Sequence, residues 1–407
     1  MLTHKEFIDD AIANYEILPL ETNYLYKKFS LDIPLPDQDL PQETPQSESV
    51  AQQISERTKI KFDAIISVSY AKSVNDSIKI VKANEVDARF LDGKIFKSGD
   101  DKFAAYSNAH SKYFIMIDSN GKKSQSVNLL FLNDGLLPVQ VIVNVESKSK
   151  LGIFEICASE PESQGSVVIL HEISAAHDSE VELNVLHNEN VNSNVVNLCK
   201  ANIADNTKFR GNFVYNGGSM TKSRCVVDSS GTESRVEINE IAFGVKEQKF
   251  DLANSISNTR PRSHAQLNSG AVLDGKSRCM LKGFAKVEKG TKGCFSRITE
   301  RGILLSGDAH IDALPDMAID YSNEVKATHS AATSPIDQEA LFYLESRGLE
   351  EKQAKKMFIT AFISKYMSNI TNGAASEIAM SVMLEKLERG TFGVLSDLTA
   401  KGVWISK

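Results

Sequence analysis

The chain has 407 residues, too many for one compact hydrophobic core, so two or three domains or one elongated repeat are expected. With 42% hydrophobic and 24% charged residues it has the composition of a soluble globular protein, and a formal net charge of -7 with no Lys/Arg block argues against nucleic acid as its main ligand. Met1–Glu16 lacks the basic-then-apolar layout of a signal peptide, and apolar runs such as Leu129–Leu132 are far too short to span a bilayer, so a cytoplasmic protein with no membrane partner is expected.

Thr3 and Glu6 have capping-box spacing, and Phe7, Ile8, Ala11, Ile12 and Tyr15 recur at helical intervals, which predicts a helix over residues 3–16. Pro34, Pro36, Pro41 and Pro45 then cluster in a Gln/Glu/Ser-rich stretch with little apolar surface, so residues 34–58 read as a linker or mobile loop. From about Ile60 the pattern alternates. Ile66–Tyr70, Ile78–Ile80, Val139–Val143 and Val181–Val185 are strand-like. A phrase of small or polar turn followed by an alternating strand returns at Ala176–Val181, Ala204–Phe209, Gly231–Val236 and Gly290–Phe295. Short strands with no helices between them over more than two hundred residues suggest a series of sandwiches or a β-solenoid. The spacing of the phrase is irregular, so no strict period decides between the two.

Near Ser334 the pattern becomes helical again. Ser334-Pro335-Ile336-Asp337 combines capping-box spacing with a proline at a helix start, and predicts a helix over Asp337–Ser346 that is punctuated by Arg347-Gly348. Ala354, Met357, Phe358, Ala361 and Phe362 mark one face of a second helix. Ala379, Val382, Met383 and Leu387 mark a third, ending at Gly390. The expected organisation is an N-terminal helical region with a Pro-rich linker (1–58), a β core (59–335) and a C-terminal helical domain (336–407).

Cys157, Cys199, Cys225, Cys279 and Cys294 are odd in number and contain no C-x-x-C pair, which argues against a disulfide framework and against a self-contained four-cysteine metal site. Buried thiols are expected, with any metal chemistry borrowing ligands from another chain. Gly270, Gly275, Lys276 and Ser277 satisfy the phosphate-loop pattern G-x-x-x-x-G-K-S, but Arg278–Val287 reads as strand and turn where a helix is needed, so no nucleotide site is assigned there. His171 and His177 are six apart rather than the four of a zinc-protease helix, and read as hydrogen-bonded or solvent-facing side chains. Asp308, Asp312, Asp316 and Asp320 recur evenly, but Pro315 interrupts the run and they read as solvated acids.

The segment from Gly302 to Phe362 is the most specific. Gly302-Ile303-Leu304-Leu305-Ser306-Gly307-Asp308-Ala309-His310 is followed by Leu314-Pro315-Asp316-Met317-Ala318-Ile319, by Val325-Lys326-Ala327-Thr328-His329-Ser330-Ala331-Ala332-Thr333 and by Leu341-Phe342-Tyr343-Leu344-Glu345-Ser346-Arg347-Gly348. In order and in spacing these strings resemble the C-terminal signature of the SufB/SufD family of iron–sulfur cluster assembly proteins. That signature is a leucine-rich strand, then A-x-x-x-x-x-P-x-x-E-I, V-K-x-S-H-G-A-T and F-Y-L-x-S-R-G. Asn216–Arg224 resembles the family more weakly, and the N-terminal string Tyr24–Phe29 only loosely.

The resemblance implies a right-handed parallel β-helix flanked by helical ends. It further implies pairing with a SufB-like subunit or with a second copy, and C-terminal helices that dock a SufC-like ABC ATPase. ATP would then act only through that partner, and a transient iron–sulfur cluster would form at the subunit interface. SufB-type chains carry a cysteine near the place of Arg301 and a glutamate at the place of Ser330, so the chain falls on the SufD-like side, a scaffold and not an enzyme. His329 corresponds to the family's functional histidine, with Thr328 and Ser330 departing from the neighbouring Ser and Gly. On residue chemistry alone it reads as a side chain hydrogen-bonding the last β turn to the first C-terminal helix, and the resemblance gives a role as an iron ligand equal weight. Phe342, Tyr343, Arg347 and Gly348 are the candidates for ATPase docking, with Phe342 and Gly348 expected to be structural. The alternatives are a homodimeric SufB-type scaffold, a β-helical carbohydrate-active enzyme, and a nucleotide hydrolase built on Gly270–Ser277.

Overall fold

A computed structural model describes residues 4–19, 47–68, 70–86, 95–119, 121, 124–133, 135–159, 165–320 and 324–389. Helix α1 (His4–Ile17) and helix α2 (Ser47–Thr58) precede three short strands, β1 (Ala64–Ser67), β2 (Ala71–Ser73) and β3 (Ile78–Lys82). Helix α3 (Lys102–His110) follows, capped by Asp101, whose carboxylate accepts from the backbone N–H groups of Phe103 and Ala104. Among the described residues, sixteen strands, β4 (Tyr113–Ser119) to β19 (Lys326–Pro335), then run without an intervening helix to α4 (Gln338–Ser346), α5 (Glu351–Met367) and α6 (Gly373–Arg389).

The strands form a β-solenoid of about 7 turns. From β4 onward, odd-numbered strands stack in one sheet and even-numbered strands in the other, each turn contributing one strand to each, while β1 and β2 extend the odd sheet and β3 the even one. From β4 onward the pairing is parallel; antiparallel β1–β2 and β3–β4 pairs close the first end. Strands stay close to ten residues, but the corners vary, so the offset between stacked positions ranges from the 26 residues separating Ser124 and Lys150 to the 32 separating Arg278 and His310. That variation conceals the period in the sequence.

The recurring turn phrase is one corner of the solenoid, met once per turn where an even strand passes to an odd one. Lys148, Asp178, Asn206, Glu233 and Arg262 sit there in the left-handed backbone region. Each donates its N–H to a carbonyl of the next turn, Asp178 to Asp205 at 3.0 Å and Asn206 to Thr232 at 2.9 Å. These intercoil bonds offset the local strain of a non-glycine residue at positive φ.

Alternation sends every second side chain into the lumen. Val127, Ile153, Leu183, Ile238, Leu267 and Ile298 fill one interior row on the odd sheet. Burying such a side chain contributes about 1.5–3 kcal/mol. The outer face of the odd sheet is apolar as well, and Phe154, Leu186, Val214, Ile241 and Phe243 lie under Ile359, Ile363, Tyr366, Met367, Val382 and Met383 of the C-terminal helices. On the even sheet Val168, Leu170, Val196 and Leu198 are covered by Phe96, Phe103 and Tyr106.

Several local expectations change. The expected linker is helical from Ser47 to Thr58, where Val50, Ala51 and Ile54 bury a short apolar face. Asp337, not Ser334, caps α4: its carboxylate accepts from Glu339 and Ala340, while Ser334 and Pro335 still belong to the last strand. On α5 the buried side chains are Ala354, Ile359, Ile363, Tyr366 and Met367, so the face is rotated from the expected one and Met357 is 54% exposed. Pro34, Pro36, Pro41, Pro45, the Tyr24–Phe29 string and Gly390 lie outside the described residues.

Candidate functional site

Strands β18 (His310–Ile319) and β19 are the last of their sheets, and among the described residues nothing stacks on them. β19 is exposed along almost its whole length, unlike β15 (His264–Leu273) two turns inside. A parallel sheet that ends this way presents a row of backbone groups ready to pair with another chain.

His329 stands on this edge. It pairs in register with Ile298, so it occupies the end of the inward-facing row that includes Leu183, Ile238 and Leu267, and it is exposed where its predecessors are buried. One position on, Ser330 faces the other way. Arg301 Nη2 donates to Ser330 Oγ at 3.3 Å, so the two positions on which the SufD-like expectation rests touch each other. Behind the edge lies Glu300, fully buried; burial, then the carboxylate of Glu240, push its carboxyl up to about 8. Glu240 is itself raised to about 7 by burial. Both carboxyls thus hold their protons well above the usual carboxylate range, which lowers the cost of burying them in the lumen.

The helical candidates divide. Gly348 adopts φ 94°, and the N–H groups of Gly348 and Leu349 donate to the carbonyls of Glu345 and Leu344. This is a Schellman closure of α4, a structural role that needs glycine. Phe342 was expected in the core and is instead 72% exposed; Tyr343 is 56% exposed, and Leu341 is the buried side chain of that helix. Arg347 donates from Nη2 to the Tyr343 hydroxyl at 3.2 Å and lies over its ring at 5.2 Å. The helix therefore presents an aromatic–basic surface with little to hold it but solvent.

The phosphate-loop match is strand and corner. Gly270 lies within β15, residues 274–277 form the turn, and Arg278 opens β16 (Arg278–Val287). Gly275 is at φ 65° against the backbone of Lys246, and Ser277 Oγ donates to the Asp274 carbonyl at 2.7 Å. The two histidines of the other rejected pattern part company: His171 is buried with Nε2 2.9 Å from Glu155, and His177 is on an exposed corner beside Asp178. Asp312 and Asp316 share one face of β18, with Asp308 and Asp320 beyond its two ends.

Sequence reasoning missed two features. One is an asparagine ladder on the outer face of the odd sheet: Asn212 Nδ2 donates to Asn184 Oδ1 at 2.7 Å, Asn239 to Asn212 at 3.0 Å and Asn268 to Asn239 at 2.9 Å. Its recurrence at the solenoid spacing was the available signal. The other is a buried group of Cys157, His187 and Glu189, brought together although metal ligands were expected only from another chain.

Residues 132–362 match the family model described as SUF system FeS cluster assembly, SufBD core domain. The chain is similar to the iron–sulfur cluster assembly protein SufD of Escherichia coli, 24% identical over 186 residues, which cover 46% of this chain and 44% of that protein. It is also similar to a SufBD family protein of Pyrococcus horikoshii, 25% identical over 284 residues, with 68% of this chain and 63% of that one covered. A SufBD family protein of Staphylococcus aureus is 23% identical over 332 residues, 76% and 68% of the two chains. The chain thus spans less than two thirds of the length of the first two of these relatives.

Proposed function

Because the chain belongs to the SufBD family of SUF-system iron–sulfur cluster assembly proteins, we propose that it is a SufD-like scaffold subunit with no catalysis of its own, working in the cytoplasm. Its open solenoid edge pairs with a SufB-like chain, or with a second copy of itself, and its C-terminal helices dock a SufC-like ABC ATPase that alone hydrolyses ATP. A cluster forms transiently at the seam between subunits.

The observation that carries this reading is the exposure of His329 on a terminal strand whose outer edge is unpaired among the described residues. A neutral imidazole there can hold iron while the partner supplies thiolate or carboxylate. The exposed Phe342 and Tyr343 on α4 support the docking role, since large aromatics at an interface supply most of its binding energy. Arg301 and Ser330, standing where SufB-type chains carry a cysteine and a glutamate, support the SufD-like reading, because neither side chain is a usual iron ligand.

Coexpression with SufB-like and SufC-like chains, followed by anaerobic ultraviolet–visible spectra, tests the proposal. The wild-type complex should copurify and develop cluster absorption. His329→Ala should copurify without that absorption, and Phe342→Asp should lose the ATPase. Cluster assembly by the chain alone would overturn the SufD-like reading, and full assembly by His329→Ala would remove the role given to that imidazole.

A further inference from the structure

Cys157 on β7 (Lys150–Ser159) is the register partner of His187 on β9 (Glu180–Asn188), one turn further along the lumen wall. Glu189 follows in the corner. One donor atom from each of the three lies within 4.8 Å of the other two. All three are buried, Cys157 being 1% exposed and the others 0%.

The group is held in place and incompletely satisfied. His187 Nδ1 lies 2.6 Å from Glu189 Oε1, while His187 Nε2 and Glu189 Oε2 have no hydrogen-bond partner among the described residues. The imidazole stacks on Tyr215 at 5.4 Å with an interplanar angle of 13°. That tyrosine is fixed in turn, donating to Ser223 Oγ at 2.6 Å and accepting from Asn197 at 3.0 Å. The N–H groups of Gly217 and Gly218 donate to the carbonyls of His187 and Glu189, and a side chain at Gly217 would collide with the backbone of Glu189. Two fully buried polar atoms left open by a corner this rigid carry a desolvation cost that a ligand would remove.

We propose that Cys157, His187 and Glu189 bind one divalent transition-metal ion of the zinc class inside the solenoid, at a site separate from the open edge. Thiolate, imidazole and carboxylate are the donors such ions take. Tetrahedral ligands stand roughly 3.5 Å apart, so the three donors need only a small adjustment to close on an ion. One thiolate and one carboxylate also balance the charge of a dication, whereas the empty site buries Glu189 against a single imidazole. Cys157 ligates as the thiolate, so the ion displaces a proton as it enters. With ligands from two successive turns, the metal staples the first half of the solenoid. This site is independent of the scaffold reading above.

The test uses the full chain, unfolded in denaturant with a chelator and refolded with Co2+ or Zn2+. About one equivalent should be retained after desalting, with a thiolate-to-cobalt charge-transfer band in the near ultraviolet. Cys157→Ser should lose the band and weaken retention by at least about tenfold. Cys279→Ser, at a buried thiol elsewhere, and His329→Ala, at the edge, should keep both. No retained metal, or a band that survives Cys157→Ser, overturns the proposal. Should Cys157→Ser fail to refold, the zinc-edge X-ray absorption spectrum of the wild-type chain decides. One sulfur among nitrogen and oxygen donors supports the site, and any other sulfur count overturns it.

Discussion

Tyr366 lies against Gly270: its ring fills the space a β-carbon would take there, and its hydroxyl donates to the carbonyl of Ser269 at 3.1 Å. A glycine that looks like part of a phosphate loop is thus the point where α5 seats on the solenoid. Gly270→Ala should cost about 1–3 kcal/mol, because the added methyl has nowhere to go without displacing the helix. Lys276→Ala, on an exposed corner, should change stability by less than about 0.5 kcal/mol. Urea unfolding of the two variants makes the comparison, and equal stability would mean that the ring yields freely.

Asn369, just beyond α5, donates from Nδ2 to Asn239 Oδ1 at 2.9 Å and so joins the helical domain to the asparagine ladder. Asn239→Ala removes the donor to Asn212 and the acceptor for Asn268 and Asn369 together. It should cost about 1–3 kcal/mol. A double-mutant cycle with Asn369→Ala should show coupling of at least about 0.5 kcal/mol, and simple additivity would separate the helix from the ladder.

The stability contributed by Glu240 and Glu300 should fall as pH rises from about 5 to about 8.5. Between 4.5 and about 8 the folded chain keeps protons on Glu240 and Glu300 that the unfolded chain has released. Each contributes on the order of a few kcal/mol to the slope. His171 acts in the same direction: burial lowers its pKa, but the charge and hydrogen bond of Glu155, joined by Cys199 and the Leu198 carbonyl, raise it on balance, and stability present at low pH is lost as that proton leaves. Glu300→Gln should flatten the profile measured by denaturant midpoints. An unchanged slope would place the titration elsewhere.

Asp251 accepts from Lys222, Arg224 and Lys282 on the outer face of the even sheet. Burial alone would raise its pKa, but the three cations together hold the carboxyl far below the usual range. Asp251→Asn leaves those cations without their shared anion and should cost about 3–5 kcal/mol. A thermal midpoint close to that of the wild type would show that neighbouring acids such as Asp101 suffice.

Much of this architecture was legible in the residues. Alternation from Ile60 identifies strands, the turn phrases at Ala176, Ala204, Gly231 and Gly290 mark one corner of successive turns, and the shift at Ser334 announces the helices. Alternation says which side chains point inward but not which turn lies above which, and the exposed Phe342 shows that aromatic character alone does not place a residue in the core. The strings around His329 identify the family because their order is a property of the chain itself.

What only the folded chain decided is stacking. Corners of unequal length set the offset between turns anywhere from 26 to 32 residues. That register brings Asn184, Asn212, Asn239 and Asn268 into one ladder, sets Cys157 beside His187, and lays Tyr366 over Gly270. Local sequence fixes the period of two within a strand through backbone geometry, whereas the contact between turns is a long-range choice made by hydrogen bonding and packing over the whole solenoid.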